Sequence, residues 1–234
     1  MAEAVVTAAG RGAPEVPRLP LFRRAMIRAA EKSLEAPCFS LRRSADVTSL
    51  VERRAALRGA GEIVPSINDY LVRAVGVALR RHPILNASYV DGAVVQYPRI
   101  NVGIAIAVPG GLVAPAVYDV DLKDAAHVGR DVRQLVERAQ SRSLSRDVIQ
   151  DATFTVSNLG MYGIEDFDPL LNSPQAAILG VGAISKGPAK SIRLSLGCDH
   201  RVLTGAEGAE YLQALCSLLE EAGDASEVVW KEGA

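Results

Sequence analysis

Acid–base chemistry near neutral pH falls first to histidine, and this chain of 234 residues has three. His200 stands apart from the others. It follows an apolar run, lies in Asp199-His200-Arg201, and precedes Thr204-Gly205, where a helical pattern opens. A histidine at a strand end beside a glycine can serve as a general base facing a cleft, although local context also allows an ordinary solvated turn. His82 precedes a proline at the end of a helical pattern, where interaction with the helix C-terminus accounts for it. His127 falls on an exposed helical turn near Asp121 and Asp124, and nothing nearby completes a catalytic set.

The second candidate is the run Thr155-Val156-Ser157-Asn158-Leu159-Gly160, a strand-like segment that ends in small polar residues and a glycine. A hydroxyl placed there can donate to an oxyanion. On spacing alone, satisfaction of turn backbone groups by Ser157 and Asn158 is the simpler reading. No G-x-S-x-G elbow, G-x-G-x-x-G fingerprint or P-loop is present. Cys38, Cys198 and Cys216 are odd in number, far apart and without a C-x-x-C pair. They predict neither a disulfide framework nor a metal site, but buried thiols in a reducing, cytoplasmic setting.

The elements that must position these residues follow from periodicity. Leu21, Ile27, Ala30 and Leu34 predict a first helix closed by Ala36-Pro37, followed by a short strand over 38–41 and a helix over 47–57. Ser66 and Asp69 form a capping pair for the next helix, which His82-Pro83 ends. Asp91-Gly92 predicts a tight hairpin, and 101–108 and 112–121 read as two strands about Pro109-Gly110-Gly111. A charged helix over 123–141, three strand-like segments (152–157, 175–184 and 191–198) and a helix over 206–221 complete the chain. The order lacks the regular alternation of a doubly wound sheet, so the fold class is α/β, a two-layer domain on a mixed sheet.

Composition narrows the function classes. With 26 Lys+Arg against 27 Asp+Glu the net charge is −1, which predicts no nucleic-acid partner and no adhesion to an anionic membrane. The longest uncharged run, 100–118, is interrupted by Pro109-Gly110-Gly111 and reads as a strand pair, not a membrane span. The Ala/Gly-rich segment 1–16 has no signal-peptide pattern and is expected to be a flexible arm or linker stub before a single domain over 17–234.

At the two candidate motifs the sequence resembles the catalytic domain of the 2-oxo acid dehydrogenase acyltransferases, the dihydrolipoamide acyltransferases. DHRVLTGA at 199–206 is similar to the family's D-H-R-x-x-[DN]-G-A, and FTVSNLGMYG at 154–163 to its F-T-[IV]-S-N-L-G-M-[FY]-G. Residues 172–182 match N-x-P-Q-A-A-I-L-x-V-G, GGLVAPAVYDVD resembles G-G-L-V-[TV]-P-[IV]-[VI]-R-D-x-D, and the likeness covers about 17–222.

The resemblance implies a chloramphenicol-acetyltransferase-like, coenzyme A-dependent acyltransferase fold. It also implies acyl transfer between a lipoyl thiol and coenzyme A, with His200 as general base and Ser157 as oxyanion donor. Thr204 is implied as a third site residue, and Asn158, Leu159 and Asn172 as contacts to coenzyme A. It further implies a homotrimer whose active site lies at the subunit interface.

Several positions depart from the family pattern. Thr204 replaces Asp or Asn, Ala114 and Tyr118 replace Thr and Arg, and the segment 185–191 is short. No lysine stands in a lipoyl-type hairpin context, so the lipoyl group is expected from another domain or chain. A carrier-protein phosphopantetheine is an alternative thiol. A catalytically weak scaffold and a chloramphenicol-type O-acetyltransferase are the competing functions. Val228, Val229 and Trp230 offer a possible apolar anchor, but with a charged tail after it the pattern favours a trimer over a larger shell.

Overall fold

The computed structural model describes residues 18–60 and 64–222. The expected arm over 1–16 and the anchor at Val228, Val229 and Trp230 lie outside the described residues. Six helices are α1 (Leu21–Ser33), α2 (Thr48–Gly59), α3 (Ile67–Arg81), α4 (Ala125–Gln140), α5 (Arg146–Gln150) and α6 (Gly205–Glu221). The strands are β1 (Cys38–Asp46), β2 (Ala87–Val90), β3 (Ala93–Gln96), β4 (Val102–Ile104), β5 (Ile106–Val108), β6 (Gly111–Val113), β7 (Ala116–Val117), β8 (Phe154–Asn158), β9 (Ala177–Ile184) and β10 (Ser191–Asp199). The main sheet runs β1-β10-β9-β8-β4-β7, with β8 parallel to both neighbours and the remaining pairs antiparallel. The mixed sheet expected from the element order is therefore present.

One face of this sheet buries the main core. α3 contributes Leu71, Val75, Ala78 and Leu79, and α6 contributes Tyr211, Leu215 and Leu219, all at most 1% exposed. The capping pair forms as expected: the Asp69 backbone N–H donates to Ser66 Oγ (3.1 Å) and the Ser66 N–H to Asp69 Oδ2 (2.7 Å). On the opposite face the β8–β9 connection lies against the strands. A Cβ at Gly180 would sit 3.0 Å from Pro169, and one at Gly182 would run into the Glu165 carbonyl oxygen. At Gly182 only glycine allows that approach, while at Gly180 a Cβ would be a tight contact. No helix of the described residues is long and apolar enough to cross a membrane.

Two expectations change. β1 runs five residues beyond Leu41, because it pairs with β10 without interruption from Cys38↔Asp199 to Asp46↔Ser191. That pairing is tertiary and outweighs the weak strand propensity of Arg42-Arg43-Ser44. The two strands expected about Pro109-Gly110-Gly111 are each broken. The Ala105 N–H leaves the hairpin for the Val156 carbonyl (2.9 Å), and Pro115 has no N–H to offer. β4 and β7 stay in the main sheet, while β5 and β6 form a separate hairpin turning at Gly110, φ +89°.

Candidate functional site

His200 stands just beyond β10 on a turn closed by the Val202 and Leu203 N–H groups on the Asp199 carbonyl (3.0 and 2.9 Å). Its own N–H donates to Pro37 O (2.9 Å), which ties the turn to the entrance of β1. The imidazole is exposed, lies 4.8 Å centroid to centroid from the Phe39 ring, and makes no side-chain hydrogen bond among the described residues. Asp199 beside it is 1% exposed. Its carboxylate accepts from the Arg201 backbone N–H (3.0 Å) and from the guanidinium through Nε (2.9 Å) and the NH2 group (2.6 Å). A bidentate pair of this kind satisfies a buried carboxylate well. The Arg201 guanidinium in turn lies 4.3 Å over the Tyr89 ring.

Thr204 is the N-cap of α6. Its hydroxyl donates to Glu207 Oε2 (2.8 Å) and accepts from the Glu207 N–H (3.3 Å), while its own N–H donates to the same carboxylate (2.8 Å). These bonds hold the Glu207 carboxyl below the usual carboxylate range. Asp and Asn, the residues of the resembled pattern at this position, are also strong N-caps, so the capping is compatible with all three residue types. Thr204→Ala will cost about 1 kcal/mol of stability, read as a lower urea midpoint at constant slope, whereas Thr204→Asn will change it by only a few tenths. Equal losses in the two variants would refute the capping role.

Ser157 is half-buried on β8 and pairs with Gly180. Paired residues share a face of the sheet, so the hydroxyl points to the side of Phe167 and Pro169, and it makes no hydrogen bond among the described residues. Asn158 turns the other way. Its Nδ2 donates to Asn68 Oδ1 (3.0 Å) and its Oδ1 accepts from the Gly160 N–H (2.8 Å), which ties the end of β8 to the start of α3. The Leu159 N–H continues the sheet to Val181 O (3.1 Å). Asn172 donates to Thr155 Oγ1 (3.1 Å), part of a buried cluster with Gln175. The side-chain amides of Asn158 and Asn172 thus make bonds inside the chain. A groove of about 450 Å³ opens on the Asn158 side, lined by Ile67, Asn68, Met161, Ile184 and Lys186 among others, and neither Ser157 nor His200 borders it.

His200 and Ser157 do not meet within one chain. Ser157 pairs with Gly180 and Gly180 with Ser195, and His200 lies five residues further along β10. Two strand spacings and five strand residues put the side chains roughly 15–20 Å apart, far beyond hydrogen-bond reach.

The remaining candidates are structural. His82 stands at the C-cap of α3, its ring half-buried and perpendicular to that of Tyr211 (6.1 Å between centroids), and burial lowers its pKa. His127 is exposed and its Nδ1 contacts the N-cap carboxylate of Asp124 (2.7 Å). Cys198 and Cys216 are buried as expected, but Cys38 is exposed, because it lies on the outer side of an edge strand. Sequence reasoning missed Phe39 and Tyr89. The Asp199–Arg201 pair could have been found from its spacing about His200, whereas Phe39 and Tyr89 approach only through the fold.

A histidine on a strand-end turn and a serine on a glycine-lined strand of a two-layer domain with a mixed sheet are what the comparisons have to account for. The family model described as 2-oxoacid dehydrogenases acyltransferase (catalytic domain) matches residues 12–226. The chain is 36% identical over 205 residues to the dihydrolipoyllysine-residue acetyltransferase component of the mitochondrial pyruvate dehydrogenase complex of Dictyostelium discoideum, covering 82% of this chain and 32% of that protein. Among solved structures, a dihydrolipoamide acetyltransferase of Azotobacter vinelandii, studied for the catalytic roles of a Ser, a His and an Asn, superposes with a TM-score of 0.86. It is 29% identical, over 94% of this chain and 98% of that one. Chloramphenicol acetyltransferase shares the fold alone, at a TM-score of 0.54 and 14% identity over 82% of this chain and 94% of that one. This chain belongs to the 2-oxoacid dehydrogenase acyltransferase family. It spans about a third of the length of the curated relative it matches.

Proposed function

We propose that the chain transfers an acyl group between a dihydrolipoyl thiol and coenzyme A, in a site formed by His200 of one subunit and Ser157 of another. The observation that carries this reading is that the pair is present with both functional groups free of hydrogen bonds among the described residues, yet separated within the chain. In the relative studied for its mechanism, the His and Asn stand four residues apart, as His200 and Thr204 do here.

The chemistry follows from the two groups. A thiol with an ordinary pKa of about 8.5 is only a few per cent thiolate at neutral pH. An unprotonated His200 nitrogen accepts the thiol proton as sulfur attacks the thioester carbonyl, a contribution of about 10²–10⁴-fold. The carbonyl oxygen becomes an oxyanion, to which the Ser157 hydroxyl donates, and losing such a donor typically costs about 10²–10³-fold. The intermediate collapses by breaking the original C–S bond, and the imidazolium returns its proton to the departing thiolate. Both partners are thiols, so the same pair serves either direction. A trimer with a shared site and a catalytic domain over 17–234 complete the reading, with the lipoyl group brought by another domain or chain.

Engagement of the Thr204 hydroxyl by Glu207, where the family pattern has Asp or Asn, favours a second reading: a scaffold with little chemistry. Exchange between acetyl-CoA and dihydrolipoamide decides between the two. Transfer that falls about 10²–10⁴-fold in His200→Ala, at unchanged oligomer mass, is expected. A folded wild type without transfer would move the assignment to the scaffold, and an unchanged rate in His200→Ala would remove that residue as base.

A further inference from the structure

We infer that Tyr89 is a positioning residue for His200, acting through Arg201 and Asp199; the inference rests on the proposed reaction. The His200 imidazole has no side-chain hydrogen bond among the described residues to orient it. Its direction is therefore set by the backbone turn that carries it and by the Phe39 ring on which it rests. Residues 199 and 201 flank His200 within that turn. The Asp199 carboxylate holds both the Arg201 backbone N–H and the Arg201 guanidinium, so one buried group fixes the chain on either side of His200.

Asp199 depends on Arg201, whose side chain is 29% exposed against 1% for Asp199. A partly exposed arginine is free to leave for solvent unless something holds its plane. The Tyr89 ring is what lies beneath it, 4.3 Å from the guanidinium carbon. A ring face in that position attracts the cation and limits its rotamers. Tyr89 is itself anchored: it lies on β2, and its N–H donates to Pro174 O (2.9 Å) in the segment that leads into β9. Three stretches distant in sequence thus converge on the turn, Phe39 from β1, Tyr89 from β2, and 199–203 after β10. Without the Tyr89 ring, Arg201 gains freedom, the Asp199 clamp loosens, and His200 loses its fixed approach to a thiol. Displacements on the order of 1 Å at a reacting group are enough to slow a reaction about 10²-fold.

The test uses the intact oligomer and compares Tyr89→Phe, which keeps the ring face, with Tyr89→Leu, which keeps bulk without it. Tyr89→Leu should lower kcat by about tenfold with KM for coenzyme A unchanged, while Tyr89→Phe stays within about twofold of wild type. The His200 ring-proton NMR resonance, placed against Phe39, should shift in Tyr89→Leu and not in Tyr89→Phe. Wild-type kcat in Tyr89→Leu, or equal losses in both variants, would overturn the inference. The same holds for a Tyr89→Leu loss that appears in KM alone with the His200 resonance unmoved. An inactive wild type whose His200 resonance still follows the ring would instead overturn the proposed reaction and leave the positioning role standing.

Discussion

Co-expression of His200→Ala and Ser157→Ala subunits will restore acyl transfer to roughly a quarter of the wild-type rate, although either variant alone is slower by about 10²-fold or more. The reason is geometric. Within one chain the register β8-β9-β10 holds the two side chains roughly 15–20 Å apart, at different levels of the sheet. A thiol cannot be deprotonated at one while the oxyanion of the thioester it attacks is stabilised at the other. If each site draws Ser157 from one subunit and His200 from its neighbour, random mixing leaves about one site in four with both residues intact. Transfer rates of the mixed and single-variant oligomers, at matched mass, give the answer. No recovery in demonstrably mixed oligomers would place both residues in one chain and require a rearrangement of β10 or β8. Recovery would also explain why neither side chain has a hydrogen-bond partner among the described residues of its own subunit.

Raising the pH from 9 to 11 will destabilise the fold by several kcal/mol. Burial pushes the Cys198 thiol up to about 12 and the Cys216 thiol up to about 11, against 9.0 for an ordinary thiol. The Tyr211 hydroxyl, on the fully buried face of α6 and without a hydrogen-bond partner among the described residues, is raised well above its usual value too. In the unfolded chain the two thiols lose their protons from about pH 9 and the tyrosine from about pH 10, while the folded chain keeps them. The stabilisation is therefore complete below pH 9 and declines as pH rises toward 11 and 12, at about 1.4 kcal/mol per pH unit for each group. By pH 11 the two thiols together amount to about 5 kcal/mol. Urea midpoints at pH 8 to 11 measure the slope, and Cys198→Ala should flatten it by its own share while leaving a small cavity. An identical slope in that variant would show that Cys198 does not ionise differently on unfolding.

The sequence determined much of the frame and the identity of the groups proposed to react. The α3 capping box, the Asp91-Gly92 hairpin and the α6 start at Thr204 are local signals, because one or two hydrogen bonds between near neighbours stabilise each of them. His200 and Ser157 were legible by type, and their pairing only through resemblance to a family. What tertiary structure alone decided are the long-range relations. The length of β1 depends on β10, the breaks at Ala105 and Pro115 depend on β8 and the ring chemistry of proline, and the exposure of Cys38 depends on its place on an edge strand. The separation of His200 from Ser157 is of the same kind, since it depends on how β8, β9 and β10 pair, which no local pattern encodes. Tyr89 under Arg201 and Phe39 under His200 likewise come from segments far apart in the chain, brought together only when the sheet is closed by its core.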